Sequence, residues 1–316
     1  MSKLKIALYA LGCIFLLNAC YSEDEIVPSE KKMVLRFEFP QGNNSWDEDI
    51  ISINDNFGVC LIYTDLEESD FNRAWTGAAG GLASMQGQGL NDEQAEFYTN
   101  FMKDHVFAYL YPELTKKVFP PYYYMAYDYH AAFKLSPEMI MKTDLTFGTD
   151  GLDCWVTCLE GEPNLLLGGQ TKRPETAEEF LLNRGEILYE VFKRAVDVGN
   201  IVVPDNFNDG IDYKTEVENR PGYEDEDNYY LKRGFPGTMA SKFTSFSKLS
   251  DITSMTPAGN FVQYICLGMR YTKAECEEVF PSSKYPLIHE KRQLVMEYMK
   301  EKYNVDLAEI NKGPEL

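Results

Sequence analysis

The sequence predicts an α+β fold, with strands and helices mixed early and a mainly helical C-terminal third. Three observations say so. Short apolar runs of strand character sit between helical segments in the early part of the chain. Helix-start pairs recur at Asn91 with Gln94, Thr176 with Glu179 and Thr272 with Glu275. The last third reads as helix after helix, an order that separates α+β from an alternating α/β chain.

Taken in order, Met33, Leu35, Phe37 and Phe39 alternate with other residues and predict a first strand that Pro40 ends. Trp46, Ile50, Ile53 and Phe57 recur at helical spacing, and Gly58 closes that helix. Val59-Cys60-Leu61-Ile62-Tyr63 is a short buried strand. Residues 64–90 hold Gly77, Gly80, Gly81, Gly87 and Gly89 without a phosphate-cradling spacing, and read as a loop. The Asn91 pair opens a helix to about Leu110; Tyr122 to Tyr129 and Cys154 to Leu159 read as strands. The Thr176 pair opens a helix that Gly199 closes. Residues 204–230 are polar, and their run Glu224-Asp225-Glu226-Asp227 reads as a solvated loop, since it lacks the alternating oxygen ligands of a calcium loop. One helix follows Pro257, another follows Thr272, and a long one runs from about Ser283 to Tyr303.

Lys3 and Lys5 precede an apolar run from Ile6 to Leu17, and the break falls at Ala19-Cys20. That is a secretory signal, too short to span a bilayer permanently. The segment resembles a bacterial lipobox, which implies that Cys20 becomes the lipidated N-terminus. Ser22-Glu23-Asp24-Glu25 behind it resembles the surface-export signal of lipoproteins in one phylum of Gram-negative gut bacteria. The expected organisation is a signal peptide over 1–19, an acidic tether over 20–32 and one domain over 33–316. The expected location is the outer membrane, lipid-anchored at the cell surface.

Without the signal, 28 basic residues face 50 acidic ones, a net charge of −22. Such a chain repels phosphate backbones, so nucleic acid is not an expected partner. Cys60, Cys154, Cys158, Cys266 and Cys276 remain, an odd number, so at least one thiol is free. All five read as buried small hydrophobes, with room for one disulfide. Of the three histidines, His105 falls on a helix with Phe97 and Phe101, His130 follows a Tyr-rich strand, and His289 stands apart. None has ligand spacing with another.

The helix Glu186-Ile187-Leu188-Tyr189-Glu190-Val191-Phe192-Lys193-Arg194-Ala195-Val196-Asp197 puts Leu188, Val191, Phe192 and Ala195, with Leu181 before them, on one apolar face. Tyr189 and Lys193, four apart, lie beside that face. Taken alone, it is an ordinary amphipathic helix with pairs such as Glu190–Arg194 and Lys193–Asp197.

Here the chain resembles the zinc metallopeptidase-like lipoproteins associated with outer-membrane substrate import, in which a helix reads roughly Ile-Leu-His-Glu-Phe-x-His-Ile. The same frame reads Ile187-Leu188-Tyr189-Glu190-Val191-Phe192-Lys193-Arg194. Phe39-Pro40-Gln41-Gly42, with Phe57-Gly58-Val59-Cys60-Leu61-Ile62-Tyr63, is similar to the family's opening block. Gly234-Phe235-Pro236-Gly237, followed by Asn260-Phe261-Val262-Gln263, is similar to the block that supplies a third ligand. The ending from Met299 to Leu307 is similar too. The resemblance implies a zincin-like fold and zinc in the family.

The departures change the chemistry. Two histidines at i and i+4 can hold zinc, and the glutamate between them can act as base on bound water. Here Tyr189 and Lys193 replace both histidines, Gln263 replaces the ligand carboxylate, and only Glu190 keeps the family's general-base position. An ammonium has no lone pair to donate. The expectation is therefore no zinc cofactor and no metallopeptidase catalysis, in a binding or accessory component of an outer-membrane nutrient-import complex. Two other readings stay open. One is an active hydrolase using other carboxylates such as Glu186, Glu190 or Asp197. The other is a peptide- or glycan-binding surface using exposed aromatics such as Tyr122, Tyr123, Tyr124 or Trp75.

Overall fold

The computed structural model describes residues 36–72, 83–136, 139–149 and 154–315. The expected signal peptide, Cys20 with its tether, and Trp75 lie outside the described residues. The chain divides into two units, Met1–Glu38 and Phe39–Leu316, and the fold belongs to the second. Of the first, Arg36, Phe37 and Glu38 are described, with the Arg36 guanidinium 4.5 Å from the centre of the Phe37 ring. Of the expected first strand, Met33 and Leu35 lie outside the described residues, and residues 36–40 form bends. An alternating pattern earns strand geometry only where a neighbouring strand can pair with it.

Helix α1 (Ser45–Phe57) ends where expected, with Gly58 left-handed at φ 70°. Strand β1 (Cys60–Ile62) follows. Within 64–90, read as a loop, stand a short helix α2 (Glu68–Phe71) and a strand β2 (Ala83–Gln88). The reason is tertiary: β2 is poor in strand-favouring residues, and cross-strand pairing with β4 holds it extended. Gly87 lets the Phe71 ring approach, since a Cβ there would lie 3.1 Å from it.

Helix α3 (Asp92–Phe101) starts at the Asn91–Gln94 capping box and continues through a π turn, Met102–Val106, and a 3-10 turn, Phe107–Tyr109. After α4 (Pro112–Thr115), the Tyr-rich stretch forms two strands, β3 (Tyr122–Met125) and β4 (Tyr127–Ser136). The break is at Ala126, whose N–H donates to Thr157 O at 2.9 Å, and at left-handed Asp128, φ 53°. β5 (Met139–Asp144), β6 (Phe147–Thr149) and β7 (Trp155–Thr157) complete the strands of this half.

One sheet has the order β1-β3-β7-β6, with β1, β3 and β7 parallel and β6 antiparallel on the edge. The other, β2-β4-β5, is antiparallel. Tyr98 on α3 ties the first sheet together. Its buried hydroxyl accepts from Leu159 N at 2.7 Å and Glu160 N at 2.9 Å and donates to Ala126 O at 3.2 Å. Tyr123 and Tyr124 are fully buried and belong to the core, so of the tyrosine triplet Tyr122 alone is half-exposed.

The helical part is built on α5 (Ala177–Asp197), capped by Thr176 with Glu179. Its Leu181, Leu188, Val191, Phe192 and Ala195 are all buried, as the spacing predicts. A hairpin of β8 (Thr238–Met239) and β9 (Phe246–Ser247) precedes α6 (Pro257–Arg270), α7 (Lys273–Val279), α8 (Pro286–Tyr303) and α9 (Leu307–Lys312). The fold is thus α+β, with its helices concentrated late. Buried Arg184 joins the first and last helices of this half, donating to Ile310 O and Asn311 O at 2.7 Å each.

Cys154, Cys158, Cys266 and Cys276 are buried, as expected, whereas Cys60 is half-exposed. His105 stacks between Phe180, centroid distance 4.4 Å, and Phe101, 5.3 Å. Burial, then the nearby Arg184, lowers its pKa from 6.5 to about 4. The unfolded chain therefore takes a proton near pH 6.5 that the folded chain refuses until about pH 4. Stability is lost as pH falls through that window. Thermal midpoints between pH 7.5 and pH 4 should fall more for the parent than for His105→Phe, which keeps a ring but cannot titrate. Parallel curves would contradict this.

Candidate functional site

The structure brings the family-frame positions together. Tyr189, Glu190 and Lys193 project from successive turns of α5, and Gln263 reaches them from α6. The Gln263 amide N–H donates to the Tyr189 hydroxyl at 3.4 Å, and its carbonyl accepts from Met239 N at 2.7 Å. Gln263 is buried, so that carbonyl is committed to the hairpin. Lys193 Nζ lies 3.0 and 3.1 Å from the two Glu190 oxygens. Glu190 thus pairs with Lys193, three residues on. The lysine is 45 % exposed, so the pair is solvent-screened and contributes at most about 1 kcal/mol.

A cavity of about 230 Å³ lies over this part of α5. Its walls are β6, the turn between β8 and β9, and Glu186, Tyr189 and Glu190 of the helix. Glu186 accepts from Thr146 Oγ1 at 2.5 Å and from Lys242 N at 3.2 Å. Burial raises its pKa, and those two donors oppose the rise. Burial also raises the Tyr189 phenol, so it stays protonated at neutral pH.

The turn is held in an unusual shape. Lys242 and Phe243 are both left-handed, at φ 59° and 53°. The Phe243 ring lies against the backbone of α5 at Gly185, where a Cβ would meet it at 2.1 Å. Only glycine permits that approach. Motif reading could not find Lys242, Thr146 or Phe147 as site residues, because short turns and a three-residue strand carry no periodicity.

These donors do not fit a zinc ion. Tyr189 is a neutral phenol, Lys193 an ion-paired ammonium, and the carbonyl oxygen of Gln263 already accepts a backbone N–H. Among the described residues no group of three or more His, Cys, Asp or Glu side chains could hold a metal ion. His130 Nδ1 contacts Asp128 O at 2.6 Å, and His289 Nε2 contacts Phe280 O at 2.5 Å, both far along the chain from α5. The acidic run at 224–227 is exposed in the main, with Asp225 paired to Lys284 at 3.1 Å.

No protein-family model matches the chain, and no curated protein matches it. Among solved structures it matches that of a "putative zinc-binding metallo-peptidase" from Bacteroides caccae ATCC 43185, with a TM-score of 0.44 and 11 % identity. The match covers 86 % of this chain and 92 % of that one.

Because Tyr189 and Lys193 lie on adjacent turns of α5 and Gln263 reaches Tyr189, placing ligands there should create a site. The variant Tyr189→His, Lys193→His, Gln263→Glu is expected to bind one zinc ion per chain in a calorimetric titration, and the parent none. Equal isotherms for the two would show that these positions do not form a ligand set.

Proposed function

We propose that this chain is a surface lipoprotein, anchored in the outer membrane through Cys20, whose metallopeptidase-like cleft binds without hydrolysing. In this reading it serves a nutrient-import system as a binding or accessory component, with a peptide or glycan segment as ligand. One observation carries the non-catalytic part: the groups at the family's ligand positions already satisfy one another and the hairpin. Glu190, without an acidified metal-bound water, has no proton worth abstracting. The anchor and the import setting rest on the lipobox, the acidic cluster behind it and the sequence blocks similar to the import-associated family.

A second reading has a specific observation in its favour. Glu186 and Glu190 sit one turn apart and line the same cavity, one raised by burial and the other ion-paired. Two carboxylates in different environments are the equipment of general acid and base catalysis. Against it, both Glu186 oxygens already accept hydrogen bonds.

Incubation with peptide and glycan libraries, read by mass spectrometry, separates the readings. The expected outcome is no product, with or without a chelator. Turnover that falls about 100-fold or more in both Glu186→Gln and Glu190→Gln would replace the binding role by the carboxylate-pair hydrolase. Turnover abolished by chelator alone would overturn both.

A further inference from the structure

Beyond β7 the chain runs Glu162-Pro163-Asn164-Leu165-Leu166-Leu167-Gly168-Gly169-Gln170-Thr171. Leu165, Leu166 and Leu167 are 94 %, 60 % and 60 % exposed. No charge occurs from Pro163 to Thr171, in a chain that is 25 % charged.

The exposure is built into the turn. The Asn164 side chain accepts from Leu167 N at 3.1 Å and donates to Lys142 O at 2.7 Å. Its backbone accepts from Gly168 N and donates to Gly169 O, each at 2.9 Å. Gly161 N donates to Thr171 O at 2.9 Å, and the Gln170 side chain to Gly161 O at 2.7 Å. Gly168 and Gly169, at φ 72° and 87°, supply the reversal. Braced by these bonds, the turn holds three leucines in water, where apolar surface is unfavourable and marks an interaction site.

Their place in the fold selects the occupant. Since β1, β3 and β7 are parallel, their C-terminal ends share one edge of the sheet. The chain arriving from Cys20 joins the second unit at that edge. There the Gln41 side chain accepts from Tyr63 N at 2.7 Å and Thr64 N at 3.0 Å and donates to Thr64 O at 2.9 Å, just past β1. The leucine turn leaves the same edge past β7, and Glu162 at its base accepts the Tyr127 hydroxyl, just past β3, at 2.7 Å. The 18 residues between Cys20 and Phe39 can span at most roughly 65 Å. A tether of that reach keeps the body near a bilayer, and it makes any second membrane contact intramolecular.

We propose that Leu165, Leu166 and Leu167 insert into the bilayer that holds the lipid on Cys20, orienting the body with the C-terminal edge of its parallel strands toward the membrane. The lipids would be uncharged or zwitterionic, because without the signal a chain with 50 acidic residues against 28 basic ones is repelled by anionic headgroups. The inference rests on the reading of Cys20 as the lipidated residue.

The test uses the lipidated protein carrying Leu166→Trp in phosphatidylcholine vesicles, with and without brominated acyl chains. The added emission should shift to the blue and be quenched by brominated lipid beyond the parent's own tryptophans. Each inserted leucine is worth about tenfold or more in partition. Adding Leu165→Ser and Leu167→Ser should therefore lower the ratio of inserted to free turn by about 100-fold. Protein that floats with the vesicles while the new tryptophan emits as in water overturns the insertion and leaves the anchor standing. Protein that does not float with them removes the anchor, and this proposal with it. A blue shift that ignores bromination and grows with protein density assigns the leucines to a protein contact and also overturns it.

Discussion

The contact between the Phe243 ring and the backbone of α5 at Gly185 is the constraint on which the site depends. It needs a residue without a side chain in the middle of a helix, where glycine costs about 1 kcal/mol relative to alanine. It also needs two consecutive left-handed residues, Lys242 and Phe243, each strained by roughly 1–2 kcal/mol. Burial of Phe243, which is 1 % exposed, returns about 1.5–3 kcal/mol, and the Lys242 N–H finds Glu186. The turn is therefore seated on the helix in one geometry. From it follow the position of Met239, its bond to Gln263, and through Gln263 the link to Tyr189.

This arrangement changes what α5 can do. A metal site keeps lone pairs pointed at a vacant centre. Here the lone pairs point at protein hydrogens, and the cation is the lysine ammonium lying on Glu190. Those bonds hold α5, α6 and the hairpin together around a shaped, partly apolar cavity. The same helix anchors the C-terminus through Arg184 and encloses His105 through Phe180, so its packing reaches well beyond the site.

Much of this was legible in the sequence where local chemistry decides the outcome. The capping pairs at Asn91, Thr176 and Thr272 mark true helix starts, Gly58 and Gly199 mark true ends, and the apolar face of α5 is buried as its spacing requires. The frame from Ile187 to Lys193, with Gln263 beyond it, locates residues that do meet in space. What was not legible depends on distant partners. β2 is extended because β4 lies beside it, and the tyrosine run breaks at Ala126 because its two halves belong to different sheets. Tyr123 and Tyr124 are core for the same reason. The upper wall of the cavity comes from strands and a turn too short to have a pattern.

The central claim is that α5 presents no ligand set for a divalent cation. It is tested most directly by soaking crystals in zinc and collecting anomalous differences at the zinc edge. The claim predicts no anomalous peak among Tyr189, Glu190, Lys193 and Gln263, with Gln263 still bonded to Met239. A peak about 2.0–2.3 Å from Tyr189 Oη and Gln263 Oε1, with the Lys193 side chain swung away, would contradict it.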